Sequence, residues 1–315
     1  MVLLKKFAKH SIYSIKFLFE KMLIKIVGLC GYNLSKKEDF YSPMIGKESL
    51  LAEVKRWDKP SLMRGILLDE MKIKSRFAEL SNLYAMEFMK LPSYEDHKNL
   101  GYGHGYTATD AMTSYFIIRD VKPKQMIEVG SGLSTYYSHL AIEKNKEEGT
   151  DCLLTCIEPY PYPKLSSIPG INLVVDEVQN VALEKFEQLN SGDILFIDSS
   201  HILRIDGDVP FLFLEVLPSL KKGVHVHIHD VHFPYNTPYP SSEWVFNKRL
   251  NFPCLWNEAM LLQAFLTYND SFEVQMSLPY LRHLDEQFLV NVIDGYQNVQ
   301  EEPNTFSSIW LERTN

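Results

Sequence analysis

Cysteine is scarce in this chain of 315 residues: the four present, at 30, 152, 156 and 254, are too few and too scattered for a disulfide framework. Cys152 and Cys156 fall in an expected buried strand and lack metal-ligand spacing. A reducing, cytoplasmic compartment is expected. Long apolar runs are also lacking. The most apolar stretch, near the amino terminus, is interrupted by Lys16, Glu20, Lys21 and Lys25 and cannot supply the ~20 apolar residues of a spanning helix. It has no small-residue cleavage site, which argues against a signal peptide. Repeats and disorder-prone segments are missing too. The length suits one α/β domain of about 200 residues with a helical extension.

What is present is unevenly charged. Residues 1–37 hold eight lysines against the single acid Glu20, a net of +7, so the rest of the chain carries −15 of the overall −8. At 100° per residue, Lys5, Lys9, Lys16, Glu20 and Lys21 fall on one half of a helix, and Ala8, Ile15, Leu18, Phe19, Met22, Ile26 and Leu29 on the other. Such a basic amphipathic helix, over residues 3–29, is expected to lie peripherally on anionic membrane. Residues 38–107 read as helical cover and linker, with turns at Ser42-Pro43 and Lys59-Pro60-Ser61 and one or two helices between Met63 and Leu91. The Gly101-Tyr-Gly-His-Gly-Tyr106 loop could form a lid or a cofactor-facing edge, although no strand precedes it. Residues 108–315 form the α/β domain.

That domain opens on Met126-Ile-Glu-Val-Gly-Ser-Gly-Leu-Ser-Thr135, an apolar strand ending in an acid and running into a small-residue turn that starts a helix. Gly130 and Gly132 permit close backbone approach to a ligand. A dinucleotide fingerprint would place a third glycine where Thr135 stands and no carboxylate at Glu128. A cationic ligand would welcome that carboxylate, and S-adenosylmethionine carries an ammonium and a sulfonium. Further strands are expected at Leu153–Ile157 ending in Glu158, Ile171–Val175 ending in Asp176, Asp193–Ile197 ending in Asp198-Ser-Ser-His201, and Gly223–Ile228 ending in His229-Asp230. Ligands of open α/β sheets bind beyond the carboxyl ends of strands, so five strands finishing in acid or imidazole groups describe one coherent site. Phe272–Met276 and Ser307–Leu311 complete seven strands, with helical spacing of Leu281, Leu284, Phe288 and Val292 between them.

The strand–acid–Gly-x-Gly motif resembles the first motif of class I S-adenosylmethionine-dependent methyltransferases. With Asp198-Ser-Ser-His, His229-Asp230-Val-His-Phe-Pro and Trp256-Asn-Glu-Ala-Met-Leu-Leu-Gln-Ala-Phe265, residues 100–312 resemble the methyltransferase domain 24 family. The resemblance implies a Rossmann-like α/β sheet of seven strands, the last inserted antiparallel beside the fifth, and transfer of a methyl group, most simply to oxygen. It implies that Glu128, Gly130, Ser131, Gly132, Ser134, Thr135 and Asp198 surround S-adenosylmethionine, with Glu158 on the ribose hydroxyls and Asp176 at the adenine edge, Glu177 being a close competitor. Asp198 and Asp230 match by position the aspartates that bind magnesium in metal-dependent relatives, so a divalent cation such as Mg is a candidate. The third ligand is open, because His229 and Val231 stand where relatives use an amide or carboxylate, and imidazole suits zinc or iron better.

Methyl transfer to a hydroxyl needs a base as well as alignment. His201 stands three residues after Asp198, where catechol O-methyltransferase-like enzymes carry a lysine, and imidazole suits proton abstraction near neutral pH. His229 is the alternative base, with Asp198 beside both, whereas His225 and His227 inside the strand read as structural. The expected acceptor is a small molecule or glycan; a membrane-bound amino terminus makes a lipid-linked sugar hydroxyl attractive. No nucleic-acid partner is expected, and the sequence leaves the oligomeric state open. Two other classes remain: a nicotinamide oxidoreductase, which both Glu128 and Thr135 oppose, and a non-catalytic membrane-associated interaction protein, which would be expected to lose its strand-end polar groups.

Overall fold

The structure, a computed structural model, describes residues 17–34, 40–42, 44–103, 105–247, 253–296 and 307–315. The chain separates into two compact units, residues 1–54 and 55–315. Within the second unit, Ile73, Phe77 and Leu80 of the expected helical cover pack into the same core as the sheet. In the first unit residues 17–29 are helical, with Phe17, Leu18, Phe19, Met22, Ile26 and Leu29 exposed, and a short helix follows at Lys47–Ala52. The first half of the basic helix expected over 3–29 lies outside the described residues. Among the described residues, no helix is long and apolar enough to cross a membrane.

In the second unit the chain runs through α1 (Glu70–Phe88), α2 (Tyr94–Lys98) and α3 (Ala108–Val121) into β1 (Gln125–Val129) and α4 (Leu133–Glu147). It continues through β2 (Leu153–Ile157), β3 (Ile171–Val174), β4 (Ile194–Ile197) and β5 (His225–His229). It ends with α5 (Glu258–Leu266), β6 (Phe272–Ser277), α6 (Leu278–Val292) and β7 (Ser308–Arg313). Each helix start among α1, α2 and α3 has its own cap: Asp69, Ser93 and Thr107 accept the backbone N–H of Lys72, Asp96 and Asp110. The near-continuous apolar runs of β1, β2 and β4 match strands covered on both faces, and β4 is buried throughout.

The seven strands form one sheet in the order β3-β2-β1-β4-β5-β7-β6. The first five are parallel, and β7 lies antiparallel to both β5 and β6. This is the seven-stranded α/β order that the class I resemblance implied. Strand order reverses between β1 and β4, which opens a crevice at their carboxyl ends. β5 runs one residue further than expected and includes His229, and β7 starts at Ser308. Within the sheet, His227 is fully buried between Phe196 and Trp310, with ring centroids at 4.4 and 4.2 Å. Burial lowers its pKa to about 3, so it packs as a neutral ring, as the sequence suggested. All four cysteines are free, and Cys152 precedes β2 instead of lying in it.

One buried cation ties three helical segments together. Arg119 of α3 donates to Glu87 of α1 at 2.6 Å, to Glu148 after α4 at 2.5 Å, and to Asn145 of α4. Arg119→Met would leave the buried Asn145 Oδ1 without its donor while Glu87 and Glu148 stay part-exposed, so it should cost about 2 kcal/mol of stability. Urea unfolding checks this, and a loss under about 1 kcal/mol would show the pairs to be interchangeable with apolar packing.

Candidate active site at the strand ends

The loop after β1 is shaped by contacts that leave no room for side chains. Gly130 has φ +79°, and a Cβ there would overlap the Asp198 carbonyl oxygen. A Cβ on Gly132 would meet the Tyr102 carbonyl oxygen at 2.8 Å. The loop is also bonded across the sheet: Gly130 N–H donates to Ile157, and Asp198 N–H to Val129. The Gly101–Tyr106 segment, of which His104 lies outside the described residues, therefore presses on the loop. Tyr102 stacks on Tyr136 at 4.8 Å, and Tyr106 packs 5.0 Å from His229.

Glu128 does not face the crevice. It is fully buried beneath the loop and accepts from the Ser134 and Thr135 hydroxyls at 2.6 and 3.0 Å. Thr135 in turn accepts from Gly132 N–H at 3.0 Å. Burial raises the Glu128 carboxyl to about 8, against those two hydroxyl bonds. The expected welcome for a cationic ligand is thus corrected: at neutral pH this group is largely a buried acid that sets the loop's shape, and Ser134 and Thr135 are turned toward it, away from the crevice. Since its folded pKa lies above the ordinary value, its contribution to stability is full below about pH 4.5 and is lost as pH rises through 8. Glu128→Gln should flatten the fall in melting temperature between pH 5 and 9 in the ligand-free protein; an unchanged pH slope would place the titrating group elsewhere.

The crevice itself is a cavity of about 300 Å³ lined by Gly130, Glu158, Tyr160, Glu177, Gln179 and Asp198, among others. Glu158 is held by two backbone donors, Ser131 N–H at 3.1 Å and Tyr160 N–H at 2.8 Å. Ser131 thus meets the cavity through its backbone bond to Glu158. Asp176 is turned outward, exposed and bonded to Asn180 and to Glu177 N–H, because a short 3-10 turn, Val178–Asn180, follows β3. Glu177, Val178 and Gln179 take its expected place.

At the ends of β4 and β5 the acids and imidazoles converge. His201 Nε2 lies 3.4 Å from Asp198 and 3.3 Å from Asp230, and its Nδ1 is 2.8 Å from Glu258. His229 Nδ1 lies 3.5 Å from Asp198 and 3.7 Å from Asp230, and its Nε2 is 3.3 Å from Asp110. Both His201 (φ +60°) and Asp230 (φ +55°) adopt left-handed backbone that non-glycine residues rarely take. Despite burial, the surrounding carboxylates hold both imidazoles well above their ordinary pKa. Burial is likewise outweighed at Asp198, which the two imidazoles hold below the usual carboxylate range, whereas at Asp230 burial prevails and lifts the carboxyl to about 6. The surrounding carboxylates favour the protonated imidazole of His201, against the simple expectation of a free base near neutral pH. His229 has no exposed surface, so no acceptor oxygen reaches it.

Two carboxylates were overlooked in the sequence. Glu258, in the first turn of α5, accepts from Ser199 as well as contacting His201, and the His201 carbonyl accepts from Asn257 and Glu258 N–H. Asp110, fully buried in α3, accepts from Thr107, Ser307 and Ser308 beside His229. Glu258 lay within the Trp256-Asn-Glu motif; Asp110 carried no signal beyond its place in a helix's first turn. Ligand atoms of Asp198, His201 and Asp230 all lie within 4.8 Å of one another, an oxygen-rich set with one imidazole that fits a divalent cation.

Residues 127–231 match a family described as methyltransferase domain. No curated protein sequence matches the chain. Among solved structures, an O-methyltransferase from Bacillus cereus in complex with SAH is 12% identical, aligned over 76% of this chain and 91% of that one with a TM-score of 0.41. An O-methyltransferase family protein from Burkholderia thailandensis is 11% identical over 85% and 68%, with a TM-score of 0.38. The matched third of the chain holds the loop, Glu158, Asp198 and Asp230, and through it the protein resembles the class I S-adenosylmethionine-dependent methyltransferases.

Proposed function

We propose that this protein transfers the methyl group of S-adenosylmethionine to a hydroxyl of a small molecule or glycan. The observation that carries the reading is that Asp198 belongs to two sites at once: it lines the crevice beside Gly130 and Glu158, and it touches His201 and, through it, Asp230. A cofactor in the crevice with ribose hydroxyls on Glu158 leaves its reactive end near Asp198, next to the imidazole. Glu177 and Gln179 stand at the far end of the crevice for the base. Bonding of Thr135 beneath the loop, where a dinucleotide fingerprint has glycine, weighs against a nicotinamide cofactor.

In this mechanism His201 takes the hydroxyl proton at Nε2, while Glu258 holds Nδ1 and so fixes the tautomer and ring orientation. Trp256, 4.4 Å from the His201 ring, packs against one side of it. Asp198 and Asp230 would hold a divalent cation, which would supply positive charge beside the acceptor hydroxyl and leave His201 Nε2 for its proton.

His201→Ala should lower turnover by about 10²–10⁴-fold while leaving SAH affinity, measured by calorimetry, unchanged. Near-parental turnover would remove His201 from the proton transfer, and turnover unaffected by exhaustive chelation would remove the cation.

Peripheral attachment to anionic membrane is supported by the +7 charge of residues 1–37 and by the exposed apolar side chains at 17–29. Flotation with anionic liposomes should be strong at low salt and weaken as salt rises; binding indifferent to both lipid charge and salt would sink the electrostatic attachment.

A further inference from the structure

A second cavity, of about 330 Å³, lies beyond the end of β5 and is lined by His232, Tyr235, Tyr239, Arg282, His283 and Glu286, among others. It takes no part in the chemistry above, yet it connects to it. From His201 the rings run to Trp256 at 4.4 Å, to Trp244 at 5.3 Å and to His232 at 6.3 Å, a continuous aromatic wall between the imidazole and the cavity. His232 is only 4% exposed and neither ring nitrogen has a partner; Trp244 Nε1 is also buried and unpartnered. Buried polar atoms of this kind cost stability unless something satisfies them.

The accessible lining of the cavity is of mixed character. Tyr235 and Tyr239 stack at 3.8 Å with an interplanar angle of 15°, and Tyr239 is exposed at the mouth, which offers a flat apolar face. Around that face stand hydroxyl, imidazole, guanidinium and carboxylate groups that donate and accept. Arg282 and Glu286 pair with each other at 3.2 Å, so among the described residues the lining carries a matched pair of charges. Apolar ring faces edged by mixed donors and acceptors suit a ring that is apolar on its C–H face and hydroxylated at its edge.

We propose that this cavity is an acceptor subsite for a neutral sugar ring, and that the acceptor is a glycoside whose reacting hydroxyl lies along the Trp244–Trp256 wall at His201. The inference rests on the methyl-transfer reading and narrows its substrate class. The exposed Tyr239 face and the Arg282–Glu286 pair hold the remote ring; Trp244 and Trp256 guide the reacting end.

The test is saturation-transfer NMR on the full chain with SAH present. The probes are the methyl glycosides of glucose, galactose, mannose and rhamnose, with glucuronate as the anionic probe and catechol as the flat one. At least one neutral glycoside should receive saturation, and Tyr239→Ala and Arg282→Ala should each weaken its binding by about tenfold or more while SAH affinity by calorimetry stays at the parental value. No binding of any neutral glycoside, binding of glucuronate or catechol alone, or glycoside binding that survives both substitutions would overturn the proposal. Failure of the parent chain to bind SAH would instead overturn the methyl-transfer reading, and the glycoside signal reports on the subsite separately from it.

Discussion

The structure depends most on a chain of alternating acids and imidazoles, buried at every member but Asp198, which opens on the crevice. Asp110, His229, Asp198, His201 and Glu258 follow one another at separations of 3.3, 3.5, 3.4 and 2.8 Å, with Asp230 beside both imidazoles. Each member would be costly alone at this burial, since desolvation of an unpaired ion outweighs most single contacts. In alternation each compensates its neighbours, and the elements that carry them become interdependent. Asp110 comes from α3, Asp198 from the end of β4, His229 from β5 and Glu258 from α5, so the chain of contacts fastens the cover helices to the strand ends.

That interdependence accounts for backbone conformations that would otherwise be hard to maintain. His201 and Asp230 both sit at positive φ, which costs a side-chain-bearing residue on the order of 1 kcal/mol or more. The His201 carbonyl is anchored by two N–H groups at the start of α5, and its ring by Glu258. Asp230 is followed by Val231, whose N–H donates to Ser307, so the turn is tied to the approach of β7. The strain lies at the two residues whose side chains must converge, and the surrounding bonds hold it there.

The sheet was legible in the sequence because its strands are short apolar runs bounded by glycine and acids, and burial on both faces writes that pattern directly. The polar strand ends were legible for the same reason, since Glu158, Asp198, His201 and Asp230 each break an apolar run. What stayed hidden was which way a polar group turns. Glu128 lies within β1, in register with Cys156, and Glu158 just past the end of β2, so one lies under the loop, where hydroxyls at 134 and 135 capture it, and the other lines the crevice, where backbone N–H groups of Ser131 and Tyr160 hold it. Asp176 and Glu177 were separable only by the turn that follows β3. Glu258 and Asp110 come from helices far along the chain, and no local pattern pairs them with the histidines they contact.

The carboxylate beneath the loop also explains why the loop's chemistry can be read only together with its packing. A charged Glu128 would repel Asp198 and Glu158, which already bring negative charge to the crevice; burial pushes it toward the neutral form, and both neighbours push the same way. With Glu128 neutral, the crevice presents the carboxylates of Glu158 and Asp198 toward the ligand and keeps the loop's hydroxyls engaged below. Close backbone approach at Gly130 and Gly132 then places the loop directly between that buried acid and the crevice. The glycines thus serve two contacts at once: they admit Asp198 and Tyr102 on one side and leave the loop thin enough for a ligand on the other.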